Sequence, residues 1–113
     1  MDQPTRDRIH RMVTTYPVML FMKGTPEEPR CGFSAKVAQI LKYQGTRFAS
    51  YDVLADPMVR EGIKEYGQWP TIPQLYVNGE LVGGSDIISE LFESGELADV
   101  LGKAGPMPEP AQS

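Results

Sequence analysis

The sequence predicts one α/β domain built on a four-stranded mixed sheet with helices on both faces. Three observations lead there. The patterned segments run helix, strand, helix, strand, helix, strand, strand, helix, helix along 113 residues. The first two strands are separated by a helix-length segment, which makes them parallel. The last two meet at Asn78-Gly79, the strongest short hairpin signal, which makes them antiparallel.

Each element has its own signal. Ile9, Met12, Val13 and Tyr16 recur at helical spacing, with Pro4 tolerated in the first turn and Pro17 as the stop. Val18-Met19-Leu20-Phe21-Met22 does not alternate and reads as a strand covered on both faces. A helix starting near Ser34 buries Val37, Ile40 and Leu41, and Gly45 supplies a left-handed cap. Phe48 to Val53 is aromatic and β-branched, the second strand. Asp56-Pro57 opens the next helix as cap and first residue, with Val59, Ile63 and Tyr66 as its stripe and Gly67 as its end. Gln74 to Val77 and Leu81-Val82 form the hairpin. Asp86 is expected to cap a helix burying Ile87, Ile88, Leu91 and Phe92, which Gly95 breaks before a short helix carrying Leu97, Val100 and Leu101. From Gly102 the composition turns to Gly, Pro and polar residues. The expected domain is therefore 1–102, with 103–113 a flexible tail.

Composition narrows the function. Apolar residues make up 41% and charged residues 23%, as in ordinary globular domains. A net charge of −4 gives no basic face for nucleic acid. No apolar run nears the ~20 residues that span a membrane. The N-terminus lacks a secretory core and is too acidic for a transit peptide, so the expected location is cytoplasmic. One cysteine, Cys31, excludes an intrachain disulfide and a multi-cysteine zinc site.

Cys31 lies between the first strand and the following helix, where helix-terminal N–H groups favour an anion and lower a thiol pKa. A lone cysteine is commonly a small buried hydrophobe. Gly24, Pro26, Pro29 and Gly32 around it instead make a loop, and loops lie at the surface. Pro73, just before the third strand, is an ordinary loop proline, an edge proline or a cis one. A cis bond would free the Ile72 backbone to pair with an extended peptide. Glutathione is such a peptide, and its thiol would meet Cys31. Its carboxylates would need cations and N–H donors. Lys23 follows the first strand, Arg60 and Lys64 share a helical face, and Gly83-Gly84-Ser85-Asp86 leads into a helix. Taken singly, the charged pair reads as a solvated face and the glycine turn as a plain cap.

The element order, with a cysteine at the first strand–helix junction, matches the thioredoxin fold. Met22-Lys23-Gly24-Thr25-Pro26, Cys31-Gly32-Phe33-Ser34, Trp69-Pro70-Thr71-Ile72-Pro73-Gln74 and Gly83-Gly84-Ser85-Asp86 resemble the CGFS-type monothiol glutaredoxins, in order, from about Arg8 to Leu101. The resemblance implies that Cys31 is the glutathione-facing thiol and a [2Fe–2S] cluster ligand. It implies that Lys23, Arg60, Ile72, Ser85 and Asp86 contact glutathione; with Phe33, Lys64 and Pro73 beside them, these make up the expected binding set. Ile72 stands where the family often has phenylalanine and Ser85 where it often has cysteine, which leaves no resolving thiol. Ser34 likewise replaces the second cysteine of a dithiol pair, so an internal disulfide cycle is closed to Cys31. A [2Fe–2S] cluster takes four thiolates. Two chains and two glutathiones would supply them, and the resemblance implies such a cluster-bound homodimer, one that passes its cluster to apo iron–sulfur proteins and takes BolA-like proteins as further partners. The insert Thr25 to Pro29 is expected to reshape the pocket. The alternatives are a glutathione-dependent reductase of mixed disulfides with Cys31 as nucleophile, and a redox sensor.

Overall fold

Strand β1 (Val18–Met22) lies inside the sheet and is buried along its whole length. Its side chains alternate between two helical layers: Val18, Leu20 and Met22 join one core cluster, Met19 and Phe21 the other. With both faces covered, every position is apolar, which is why the segment shows no alternation in sequence. The computed structural model describes residues 1–108. Strand order is β2-β1-β3-β4. β2 (Ala49–Asp52) runs parallel to β1 with Ala49 opposite Met19. β3 (Gln74–Val77) runs antiparallel with Val77 opposite Val18. β4 (Glu80–Gly83) returns through Asn78 and Gly79 at φ of 52° and 82°, the left-handed pair a two-residue hairpin demands.

Helices α2 (Gly32–Tyr43), α4 (Ser85–Ser94) and α5 (Glu96–Gly102) cover one face. Helices α1 (Gln3–Thr15) and α3 (Pro57–Gly67) cover the other. This is the thioredoxin arrangement. Asp56 braces the second layer. As the cap of α3 it accepts from the Val59 N–H, while its other oxygen accepts from the Tyr51 hydroxyl (2.6 Å) and from Arg8 (2.7 Å). The Tyr51 hydrogen bond and the Arg8 guanidinium outweigh burial and hold its carboxyl at about 2.

The chain departs from its sequence pattern in three places. β2 ends at Asp52, not Val53, because the Asp52 carboxylate accepts from the Leu54 N–H and turns Val53–Ala55 into a 3₁₀ turn. Helix α2 begins at Gly32, so Cys31 is its cap residue. Gly84, not Asp86, caps α4; Asp86 sits in the first turn. Helix α3 ends at Gly67 as expected, and the left-handed residue that follows it is Gln68 at φ 51°. Gly67 is needed for space, since a Cβ there would overlap the Tyr76 hydroxyl and lie 2.9 Å from Gln74 Oε1. Beyond α5, Lys103 and Gly105 are held by Asn78, which donates to one carbonyl and accepts from the other residue's N–H, and Met107 packs against the core. The rest of the expected tail, 109–113, lies outside the described residues.

β1 stops, β3 starts and β4 ends at the same edge of the sheet, because β1 is antiparallel to β3 and β3 to β4. The cysteine junction, the Pro73 loop and the start of α4 therefore converge. Gly67→Ala is expected to lower stability by about 1–3 kcal/mol through overpacking, offset by ~1 kcal/mol of helix propensity. Gly102→Ala, with open space around it, is expected to be neutral or stabilising. Urea unfolding of the two variants checks this, and a Gly67→Ala protein as stable as wild type would contradict it.

Candidate functional site

The converging segments enclose a cleft of about 510 Å³, within the range of small-molecule sites. Lys23, Cys31 and Phe33 line it from the β1–α2 junction. Lys64 and Trp69 to Pro73 come from the end of α3 and the loop after it, and Gly84 to Ile87 from the start of α4.

Cys31 is partly exposed in extended backbone (φ −152°, ψ 133°) at the head of α2. Burial pushes its thiol up. The Ser34 and Phe33 amide N–H groups, the Ser34 hydroxyl and the Lys23 ammonium together outweigh that and bring it below the ordinary thiol value. Ser34 is fully buried, and its oxygen accepts from the Lys23 N–H at 3.0 Å. One hydroxyl thus ties the end of β1 to the first turn of α2, fixing Lys23 beside the sulfur.

Gly24 carries the chain out of β1 at φ 89°, with its N–H donating to Asp52 Oδ1 at 2.9 Å. Beyond it the insert closes on itself. Arg30 N–H donates to the Lys23 carbonyl (2.9 Å), Thr25 N–H to the Glu28 carbonyl (3.2 Å), and Lys42 Nζ to the Pro26 carbonyl (3.0 Å). No residue from Thr25 to Pro29 lines the cleft.

The Ile72–Pro73 bond is cis. The Ile72 side chain is buried in the α1/α3 layer, and its main-chain N–H and C=O have no partner within the described residues. Across the cleft, α4 starts at a glycine with no capping side chain, so its first N–H groups are left for an anion. Lys23 and Lys64 are the cations of the lining and Asp86 its acid; Lys64 Nζ also donates to Glu61 at 3.2 Å. Arg60 does not line the cleft. It lies one turn before Lys64, about 6 Å back along α3, while the cleft abuts the end of that helix.

A family model for glutaredoxin matches residues 18–82. A Synechocystis monothiol glutaredoxin described as ycf64-like is 57% identical over 101 residues, covering 89% of this chain and 94% of that protein. The chain belongs to the monothiol glutaredoxins. Rice monothiol glutaredoxin-S11 is 58% identical over 93 residues, 82% of this chain but 19% of that protein. The chain spans a fifth to a third of the length of several curated relatives it matches. The solution structure of reduced poplar apo GrxS14 superposes with a TM-score of 0.79 at 46% identity, covering 89% of this chain and 94% of that one.

Within this monothiol glutaredoxin the structure gathers Lys23, Phe33, Lys64, Ile72, Pro73, Ser85 and Asp86 around Cys31 and leaves Arg60 outside. It adds Trp69, Pro70, Thr71, Gly84 and Ile87 to the lining. The Trp69 indole N–H is buried with no partner among the described residues, against Gly84, where a Cβ would come within 3.1 Å. Tryptophan between a helix end and two prolines was a visible signal for a wall residue. Nothing in the pattern marked Ser34 as a clamp.

Iodoacetamide alkylation across pH checks the electrostatics. The inflection for Cys31 is expected below that of a free thiol, and to move upward in both Lys23→Ala and Ser34→Ala. An inflection that stays put in both would remove these groups as the cause.

Proposed function

We propose that this chain is a cluster carrier, in which two copies and two glutathiones hold a [2Fe–2S] cluster and release it to apo iron–sulfur proteins. One observation carries the reading: the chain's single thiol, its pKa lowered, opens onto a peptide-sized cleft. Among the described residues no three His, Cys, Asp or Glu side chains lie together where they would hold a metal ion. The chain therefore brings one thiolate to a cargo that takes four, and glutathione bound in the cleft brings the next.

In this reading each glutathione lies extended against the main chain of Ile72 as a short added strand. Lys23 and Lys64 meet its carboxylates together with the open N–H groups of α4, and the Asp86 carboxylate accepts from its ammonium. Phe33, 63% exposed beside the sulfur, supplies apolar surface for a second copy to cover. The same surface accepts a BolA-like protein in place of one copy. The place of action in this reading is the cytoplasm. No helix among the described residues is long and apolar enough to cross a membrane.

The lowered thiol pKa also favours a second reading, glutathione-dependent reduction of mixed disulfides. There the Cys31 thiolate attacks the glutathione sulfur, the protein thiolate leaves, and a second glutathione thiolate restores Cys31 as oxidised glutathione departs.

Anaerobic reconstitution with iron, sulfide and glutathione separates the two. A coloured dimer that fails to form without glutathione or in Cys31→Ser supports the carrier. Lys23→Ala is expected to weaken glutathione retention about tenfold, the loss of one charge-assisted contact, with little change in melting temperature. A colourless monomer that turns over glutathionylated substrate quickly would decide for the reductase.

A further inference from the structure

The loop Trp69–Pro73 forms one wall of the cleft, yet it has almost nothing to hold itself with. Pro70 and Pro73 lack N–H groups, and among the described residues the main chain from 70 to 73 makes no main-chain hydrogen bond. Only the Trp69 N–H is tied, to the Lys64 carbonyl at 3.0 Å. Two of the loop's carbonyls are instead held from below by one side chain. Gln74, fully buried at the start of β3, donates through Nε2 to the Trp69 carbonyl at 3.0 Å and to the Thr71 carbonyl at 3.3 Å.

The carboxamide can face only one way. Its Oε1 accepts from the Tyr76 hydroxyl at 2.9 Å. A flip would set that oxygen against two carbonyls and turn the amide donors on the hydroxyl. Burial pushes the Tyr76 phenol up, so it stays protonated and donating. The Tyr76 ring is fixed in turn, edge-on to Phe21 with centroids 5.7 Å apart. The missing Cβ of Gly67 leaves room for both polar ends. Burying an amide costs free energy that an apolar residue of the same size would not, so the return lies in the orientation it imposes.

We infer that Gln74 is a positioning residue: its carboxamide, aimed by the Tyr76 hydroxyl, fixes the Trp69–Pro73 loop so that the Ile72 main chain faces the ligand. The inference rests on the glutathione reading of the cleft. Gln74 does not line the cleft itself and acts through the loop.

The test uses the full chain equilibrated with reduced and oxidised glutathione. The Cys31 thiolate attacks one sulfur of oxidised glutathione, the S–S bond breaks, and a glutathione thiolate leaves, forming the mixed disulfide on Cys31. Intact mass gives its equilibrium constant and the Ile72 amide resonance reports the pairing. Gln74→Met alone strands the Tyr76 hydroxyl and destabilises the fold. The double variant Gln74→Met with Tyr76→Phe replaces both partners by apolar groups and recovers most of the melting temperature. Its mixed-disulfide constant is nonetheless expected to fall about tenfold, the scale of one lost pairing, with the Cys31 alkylation profile unchanged. A double variant with the wild-type constant would show that Gln74 only stabilises the core and overturns the inference. No Ile72 shift on glutathionylation of the wild type would overturn the glutathione reading and this inference with it.

Discussion

The thiol at this sheet edge is made more acidic because hydrogen-bond donors and a cation meet at one sulfur. The amide groups opening α2 and the buried Ser34 hydroxyl offset the cost of partial burial, and Lys23 adds a positive charge. Remove the convergence and Cys31 becomes an ordinary thiol at a helix cap. Everything else in the molecule can be read as what holds those groups in register: β1 delivers Lys23, α2 delivers the amides, and one hydroxyl joins them.

Three buried or half-buried polar side chains do that work at the ends of three strands. Ser34 sits beyond β1, Asp52 ends β2, and Gln74 opens β3. Each bonds main-chain groups of a neighbouring loop, at points where regular pairing has stopped and the backbone would otherwise be unsatisfied. Loops so held can stay near the surface and still keep their geometry, which is what a binding site on a rigid scaffold needs. The apolar layers account for the fold, and these polar contacts account for the shape of the cleft.

Most of the architecture was legible because it rests on local signals. The unalternating run at Val18–Met22, the Asn78-Gly79 turn and the Asp56-Pro57 start each follow from one element's own chemistry. What was not legible depends on distant contacts. Arg60 and Lys64 share a face in sequence, but only the end of α3 reaches the cleft, so spacing could not separate them. Gly67 reads as a helix end and is one, but its need for space was hidden because the residues that impose it, Tyr76 and Gln74, are far along the chain. Asp86 looked like a cap because Asp is a good one, whereas the glycine before Ser85 takes that place and leaves the α4 amides open. Ser34 read as the absence of a cysteine, and its bond to Lys23 appears only once β1 and α2 are packed.

The central claim is that a chain with one cysteine completes a four-thiolate site with a borrowed tripeptide. Native mass spectrometry of the reconstituted, coloured species tests it most directly. The account predicts two chains, two irons, two sulfides and two glutathiones in one particle. A cluster carried by four chains with no glutathione, each lending its own Cys31, would contradict it.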